Sequence, residues 1–166
     1  MTDGERFAPD LESFRSRVLN LPPEAQAVHA LACAQRVVRA RGEASADLES
    51  ALNTGWSVVK SGQGDCAEIR RELESRDDLD DNPIAAVTYA LAAVDRVADS
   101  AWWATSRLLD AAFERVPYPI EATVFRPVAE DAQHETVRQE LQWIDETLTL
   151  LEQEGATSGV IDRLRL

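Results

Sequence analysis

A regular stripe of aliphatic residues runs along one segment near the end of the chain. Its members are separated alternately by four and three positions: Val137, Leu141, Ile144, Leu148 and Leu151. That spacing places all five side chains on one face of an α-helix. The same spacing recurs in nearly every other segment, and no pair of β-strands is indicated. The pattern therefore predicts an all-α fold in which helices bury their apolar faces against one another.

Prolines and capping residues set the boundaries of the first two predicted helices. Residues 1–9 are expected to form a flexible lead-in, and Asp10 suits the N-cap of a short first helix. The pair Pro22-Pro23 ends that helix, because proline disfavours a helical conformation in the preceding residue and lacks an N–H donor. A second helix is predicted for residues 23–41, with a glycine directly after it.

Two more helices and an acidic turn are predicted before the middle of the chain. Ser45 suits the N-cap of a third helix, which ends near Gly62, and Asp65 suits the N-cap of a fourth. Residues 74–82 are strongly polar and contain four aspartates close together. Mutual repulsion of these carboxylates predicts a solvated connection between helices.

An alanine-rich segment in the middle of the chain is predicted to be the central helix. It begins at Pro83 with Asn82 as its cap, and small side chains on several of its sides allow neighbouring helices to approach closely. Helical spacing continues as far as residue 116. A break near Asp99-Ser100 is expected, which divides residues 83–116 into two helices.

The last third of the chain is predicted to be helical after a proline-rich connection. Residues 117–127 contain three prolines and are expected to be non-helical. A long helix is predicted for residues 129–154 and a short one for residues 158–165. Together the segments predict a single-domain bundle of about seven helices that spans residues 10–166.

Composition and charge exclude several classes of function. Thirty acidic residues against seventeen basic ones give a net charge of −13, which argues against binding to nucleic acids or anionic membranes. No stretch approaches the roughly 20 apolar residues that span a bilayer, and the polar amino terminus is unlike a secretory signal. Cys33 and Cys66 lie within helical patterns and are predicted to be buried free thiols. A cytoplasmic location is expected.

Chemical motifs are scarce, so we predict no enzymatic activity, no cofactor and no metal site. His134 shares a predicted helix face with Glu130 and Asp131. Di-iron bundles, however, use the Glu-x-x-His pattern twice together with two further glutamates. His29 has no carboxylate at a matching spacing. One alternative stays open, which is a helical metal-binding or enzymatic bundle that uses His134 with Glu130 or Asp131.

Partner binding is the class of function that the sequence favours. An acidic surface matches a basic protein such as a toxin, and tryptophan is a favoured interface anchor. One tryptophan lies off the apolar stripe described above, with a leucine one heptad below it. The candidate partner-binding residues are Trp143, Leu150, Asp77, Asp78, Asp80 and Asp81. A homodimer joined along Trp143 and Leu150 is a second hypothesis for the same surface.

The order of segments also resembles two groups of all-helical bacterial proteins. Residues 21–26 (Leu-Pro-Pro-Glu-Ala-Gln) and 30–36 (Ala-Leu-Ala-Cys-Ala-Gln-Arg) are similar to the opening of the family called domain of unknown function 416. The alanine-rich helix at 84–97 and the Glu- and Gln-rich segment at 137–143 follow in the same order. Residues 101–107 (Ala-Trp-Trp-Ala-Thr-Ser-Arg) are similar to all-helical immunity proteins of bacterial toxin loci. The second resemblance implies an acidic face that covers a basic toxin, and neither supplies catalytic residues.

Overall fold

Helices make up the regular secondary structure of this protein. The computed structural model describes residues 3–42, 45–117 and 128–165, and within those ranges the backbone forms nine helices and no strand. The all-α prediction is therefore confirmed, with nine helices in the described ranges where about seven were expected. In chain order they are α1 (Asp3–Asn20), α2 (Pro23–Ala40), α3 (Ala46–Ser61), α4 (Ala67–Glu74), α5 (Asn82–Val94), α6 (Ser100–Glu114), α7 (Val128–Ala132), α8 (Glu135–Glu154) and α9 (Ser158–Leu164).

Three mutually packed helices, α2, α5 and α6, form the centre of the bundle. The alanine-rich α5 is buried at every position except Tyr89 and Val94. Close approach also depends on Gly55 in α3, because a Cβ atom there would lie 2.7 Å from the Cδ2 atom of Leu31. Helices α3 and α4 pack against α5, while α8 packs against α6. Small side chains on α5 thus allow neighbours on several sides, as the sequence predicts.

The aliphatic stripe of α8 faces the interior. Val137, Ile144 and Leu148 are fully buried and Leu151 nearly so, whereas Leu141 is only partly buried. The predicted single helix over residues 129–154 is instead divided between α7 and α8. The backbone of His134 is extended and its side chain caps α8, so the helix cannot continue through this position.

Several helix starts differ from the predicted ones for local reasons. Helix α1 begins at Asp3, well before the predicted cap at Asp10, so most of the expected lead-in 1–9 is helical. Asp81, not Asn82, occupies the N-cap position of α5. Ser45 does hold the N-cap position of α3, but its hydroxyl donates to the Asp47 carboxylate and accepts no backbone N–H.

The expected break after the central helix is present. Helices α5 and α6 are joined by a short turn in which Arg96 and Asp99 both have φ of 62°. Non-glycine residues adopt this left-handed region at a cost, so tertiary contacts hold the turn in place. Arg96 contributes by binding Glu24 at the start of α2.

Three further predictions concern the cysteines, membrane-spanning helices and the proline-rich connection. Cys33 and Cys66 are free and buried, as predicted. Within the described ranges, no helix is at once long enough and apolar enough to cross a bilayer. Residues 118–127, which hold most of the predicted proline-rich connection, lie outside the described residues.

Helix α1 is held to α8 by a charged cluster. Arg17 donates to the carboxylates of Asp145 and Glu152 and to the hydroxyl of Thr149. These bonds to Glu152 and Asp145 raise the pKa of the Arg17 guanidinium above its usual value. Arg17 therefore fixes one end of the chain's first helix to a segment that lies far along the sequence.

Candidate functional site

The four predicted aspartates share one turn between α4 and α5, but their surroundings differ. Asp77 and Asp80 are exposed to solvent. Asp78 accepts hydrogen bonds from Arg76, which holds the pKa of the Asp78 carboxyl below its usual value. Asp81 forms an ion pair with Arg41. The turn is therefore partly neutralised by arginines of the same chain.

A cleft of about 510 Å³ lies beside this turn. Its charged lining is formed by the side chains of Arg41, Arg76, Asp47, Asp78 and Asp81. Arg76 also donates to Asp47, at the start of α3. Because each arginine already has a carboxylate partner, the cleft offers no unpaired cation to an anionic ligand.

Trp143 contacts two side chains of α2. Its indole ring stacks on His29, with the ring centroids 6.4 Å apart, and the guanidinium carbon of Arg36 lies 4.5 Å from its centroid. Leu150, one heptad along α8, is partly buried against the core. Trp143 and Leu150 therefore take part in internal packing, and their role in binding a partner or a second copy stays a prediction.

A buried polar cluster lies beneath Trp143. The Nε2 atom of His29 is 3.0 Å from the Thr105 hydroxyl, which donates its proton to the carbonyl of Ala101 at 2.8 Å. Since the hydroxyl proton is used, Nε2 must carry the hydrogen that links His29 to Thr105. The other ring nitrogen, Nδ1, is buried without a hydrogen-bond partner. His29 is therefore a neutral imidazole with one unsatisfied acceptor.

The same cluster holds a thiol that is kept protonated. The Sγ atom of Cys33 lies 3.5 Å from His29 Nε2. Complete burial raises the pKa of Cys33 to about 12 and lowers the pKa of His29 to about 4. A catalytic cysteine needs the reverse shifts, because the thiolate is the nucleophile. This pair is therefore structural.

Next to this cluster, Glu140 forms ion pairs with Arg36 and Arg115. Its carboxylate accepts from Arg36 at 2.8 Å and from Arg115 at 3.1 Å, while its own side chain is only 8% exposed. Each oxygen of the carboxylate thus has a cationic donor, as a buried charge requires. The three residues tie α8 to α2 and to the end of α6.

His134 has a structural role at the start of α8. Its Nδ1 atom accepts the backbone N–H of Thr136 at 3.2 Å. Glu130 is exposed, and Asp131 is partly buried near the end of α7. In the described part of the chain, no three histidine, cysteine or acidic side chains are placed to hold a metal ion. The structure therefore gives the His134 hypothesis no supporting set of ligands.

Trp103 is an exposed aromatic residue that was not among the candidate partner-binding residues. Half of its surface is open to solvent, and its ring lies 6.3 Å from that of Tyr89. Val97, in the turn before α6, is also exposed. Helical geometry shows that the adjacent Trp102 and Trp103 cannot share one narrow face. It does not show which of the two rings packs inside, so the exposure of Trp103 could not be predicted from the sequence.

Comparison with known proteins links the chain to one solved fold. No protein-family model matches the sequence, and no curated protein matches it. A crystal structure of a DUF416 family protein from Shewanella baltica OS155 is similar, with a TM-score of 0.73 and 15% sequence identity. The similarity covers 92% of this chain and 91% of that chain. At this identity the match establishes a shared fold.

These comparisons bear on the two predicted resemblances differently. The resemblance to domain of unknown function 416 is supported at the level of the fold. The resemblance to all-helical immunity proteins is not supported by them and stays a prediction. Fold similarity alone does not assign a function.

Proposed function

We propose that this protein is a non-enzymatic interaction protein that binds a basic protein partner. The observation that carries the proposal is the half-exposed Trp103, beside Tyr89, on a chain of net charge −13. Large aromatic side chains supply much of the affinity in protein interfaces, whereas complementary charge speeds encounter and selects the partner. Together the exposed ring and the negative charge suit a partner whose surface is cationic and offers an apolar contact for Trp103.

A finer version of the proposal concerns the kind of partner. An immunity-type protein blocks a toxin by covering its functional surface, and a toxin that acts on an anionic substrate is itself basic. An acidic cover competes with such a substrate through the same charge complementarity. The first partner to test is therefore a basic toxin, if a gene beside that of this protein encodes one.

Calorimetric titration against that toxin at two salt concentrations tests the proposal. We expect the affinity to fall about tenfold or more between 50 and 500 mM NaCl, because opposite charges are then screened. Trp103→Ala should weaken binding by about tenfold or more, in the range of an interface anchor. The matched variant Leu150→Ala probes the other candidate surface. No binding, or binding that salt does not weaken, would contradict the proposal.

A further inference from the structure

An open groove with an apolar floor lies along α6, separate from the cleft beside the α4–α5 turn. Its volume is about 670 Å³, which is within the range of sites that bind ligands or side chains of a partner. The apolar part of its lining is formed by Leu11 of α1 and by Trp102, Leu109 and Phe113 of α6. The partly buried side chains of Leu11, Trp102 and Phe113 thus offer a surface for apolar side chains, while Leu109 is itself buried.

Charged side chains also line this groove, and most of them are acidic. Four carboxylates and one guanidinium face it, from Asp80, Asp110, Glu114, Asp131 and Arg107. The excess of negative charge next to an apolar floor distinguishes the groove from the neutralised cleft at the α4–α5 turn. It favours occupants that are cationic and apolar at once.

Hydrogen bonds fix the position of two of these charges. The amide of Asn82 donates to Glu114 at 2.8 Å, and its carbonyl oxygen accepts from Arg107 at 3.2 Å. Arg107 is thereby held towards α5.

Asp110 is a carboxylate of the groove that an added cation would stabilise. Partial burial raises the pKa of its carboxyl group, Arg107 opposes that rise, and the nearby Glu114 adds to it. Such a carboxylate has lost part of its hydration, and Arg107 makes up for only part of that loss. An ammonium or guanidinium group in the groove would add to that counter-charge.

We propose that the groove binds a cationic amphipathic segment of the basic partner. Its apolar side chains would pack on Trp102 and Phe113, and its lysines or arginines would pair with Asp110 and Glu114. Amphipathic helices dock into apolar grooves in this manner, with anchors spaced by one helical turn. The inference rests on the proposed function and adds a second place of contact with that partner to Trp103, which does not line the groove.

Two other occupants fit the charge of the groove less well. A second copy of this chain would bring the same acidic lining against itself, and like charges facing each other disfavour association. An anionic lipid surface would be repelled for the same reason. A basic protein segment is the occupant that the lining matches.

The probe for the test is an 18-residue, fluorescently labelled peptide of leucine and lysine with one apolar helical face. Fluorescence anisotropy at 50 mM NaCl gives its affinity for the intact protein. The double variant Asp110→Asn/Glu114→Gln should weaken binding about tenfold, since two charge pairs are lost. The control Glu68→Gln/Glu72→Gln removes the same charge from the exposed face of α4 and should change the affinity less than about twofold.

A second peptide, in which serine replaces leucine, tests the apolar part of the groove. It keeps the charge and should bind at least about tenfold more weakly. Equal weakening by both double variants, or equal binding of both peptides, would overturn the groove as the docking site while leaving the proposed function standing. If the peptide binds but the basic toxin does not, the proposed function is rejected instead. A dimer by light scattering that becomes more stable in the Asp110/Glu114 variant would show a second copy in the groove and would also overturn the inference.

Discussion

Replacing His29 with glutamine should flatten the dependence of stability on pH between pH 7 and pH 5. The imidazole is completely buried, donates through Nε2 to Thr105, and has its pKa lowered to about 4 by that burial. In the unfolded chain the pKa of histidine is about 6.5. Below pH 6.5 the unfolded state therefore takes up a proton that the folded state does not.

The size of the effect follows from that difference. The contribution of His29 to stability is complete above pH 6.5 and falls by about 1.4 kcal/mol per pH unit as the pH drops towards 4. Between pH 7 and pH 5 the loss is about 2 kcal/mol. Glu152 and Asp78, whose pKa values are lowered by arginine partners, lose their contributions at more acidic pH and do not interfere in this window.

Urea denaturation at pH 7 and pH 5 measures this loss. The wild-type protein should lose about 2 kcal/mol and His29→Gln much less, because an amide does not titrate. The matched variant His134→Gln removes the other histidine and should keep most of the wild-type dependence. The reasoning fails if His29→Gln loses as much stability as the wild type. An NMR titration of the wild-type imidazole offers a second check, since a midpoint above pH 6 would contradict the buried neutral state.

Five further substitutions test a buried aliphatic side chain, the backbone conformation at a glycine and a buried charge. Leu148→Ala should lower the free energy of unfolding by about 2–5 kcal/mol, because the side chain is fully buried and leaves a cavity. Gly62→Ala should lower it by about 1 kcal/mol since φ is 67°, whereas Gly159→Ala, with ordinary φ and open space around it, should be neutral or slightly stabilising. Glu140→Gln should cost about 2 kcal/mol by leaving its two arginines without a counter-ion, against less than about 0.5 kcal/mol for the exposed Glu146→Gln. Urea denaturation at pH 7 measures the free energy of unfolding of all five variants. Equal free energies for the two glycine variants would contradict the effect of φ described for Gly62. Equal free energies for the two glutamate variants would contradict the burial described for Glu140.

Local chemistry explains which parts of the fold the sequence could predict. The stripe of α8 faces inward because its 3–4 spacing matches the helical period whatever the helix packs against. Gly62 ends α3 in a left-handed conformation, as expected of a glycine at that place. The alanine-rich α5 is central because small side chains tolerate close neighbours on several sides. Each of these outcomes depends on residues within a few positions of one another.

The rest depends on contacts that a single sequence does not display. Asn82 looks like a cap, but its amide is held between Glu114 and Arg107, and Asp81 caps α5 instead. His29 carries no local sign that it will be buried against Thr105 in another helix. Which of Trp102 and Trp103 is exposed depends on the helices around α6, and the sequence does not show these neighbours. The candidate sites were therefore harder to predict than the helices that carry them.

The clamp formed by Arg17 has a consequence for how the chain is synthesised. Its partners Asp145 and Glu152 lie 128 and 135 residues further along. At a translation rate of about 5–20 residues per second, α1 leaves the ribosome about 10 s before α8 exists. During that interval Leu11 and Phe14 lack part of the surface that later covers them, and closing so long a loop is entropically costly. On the nascent chain, we therefore expect the apolar side of α1 to stay partly exposed until the later helices have been made.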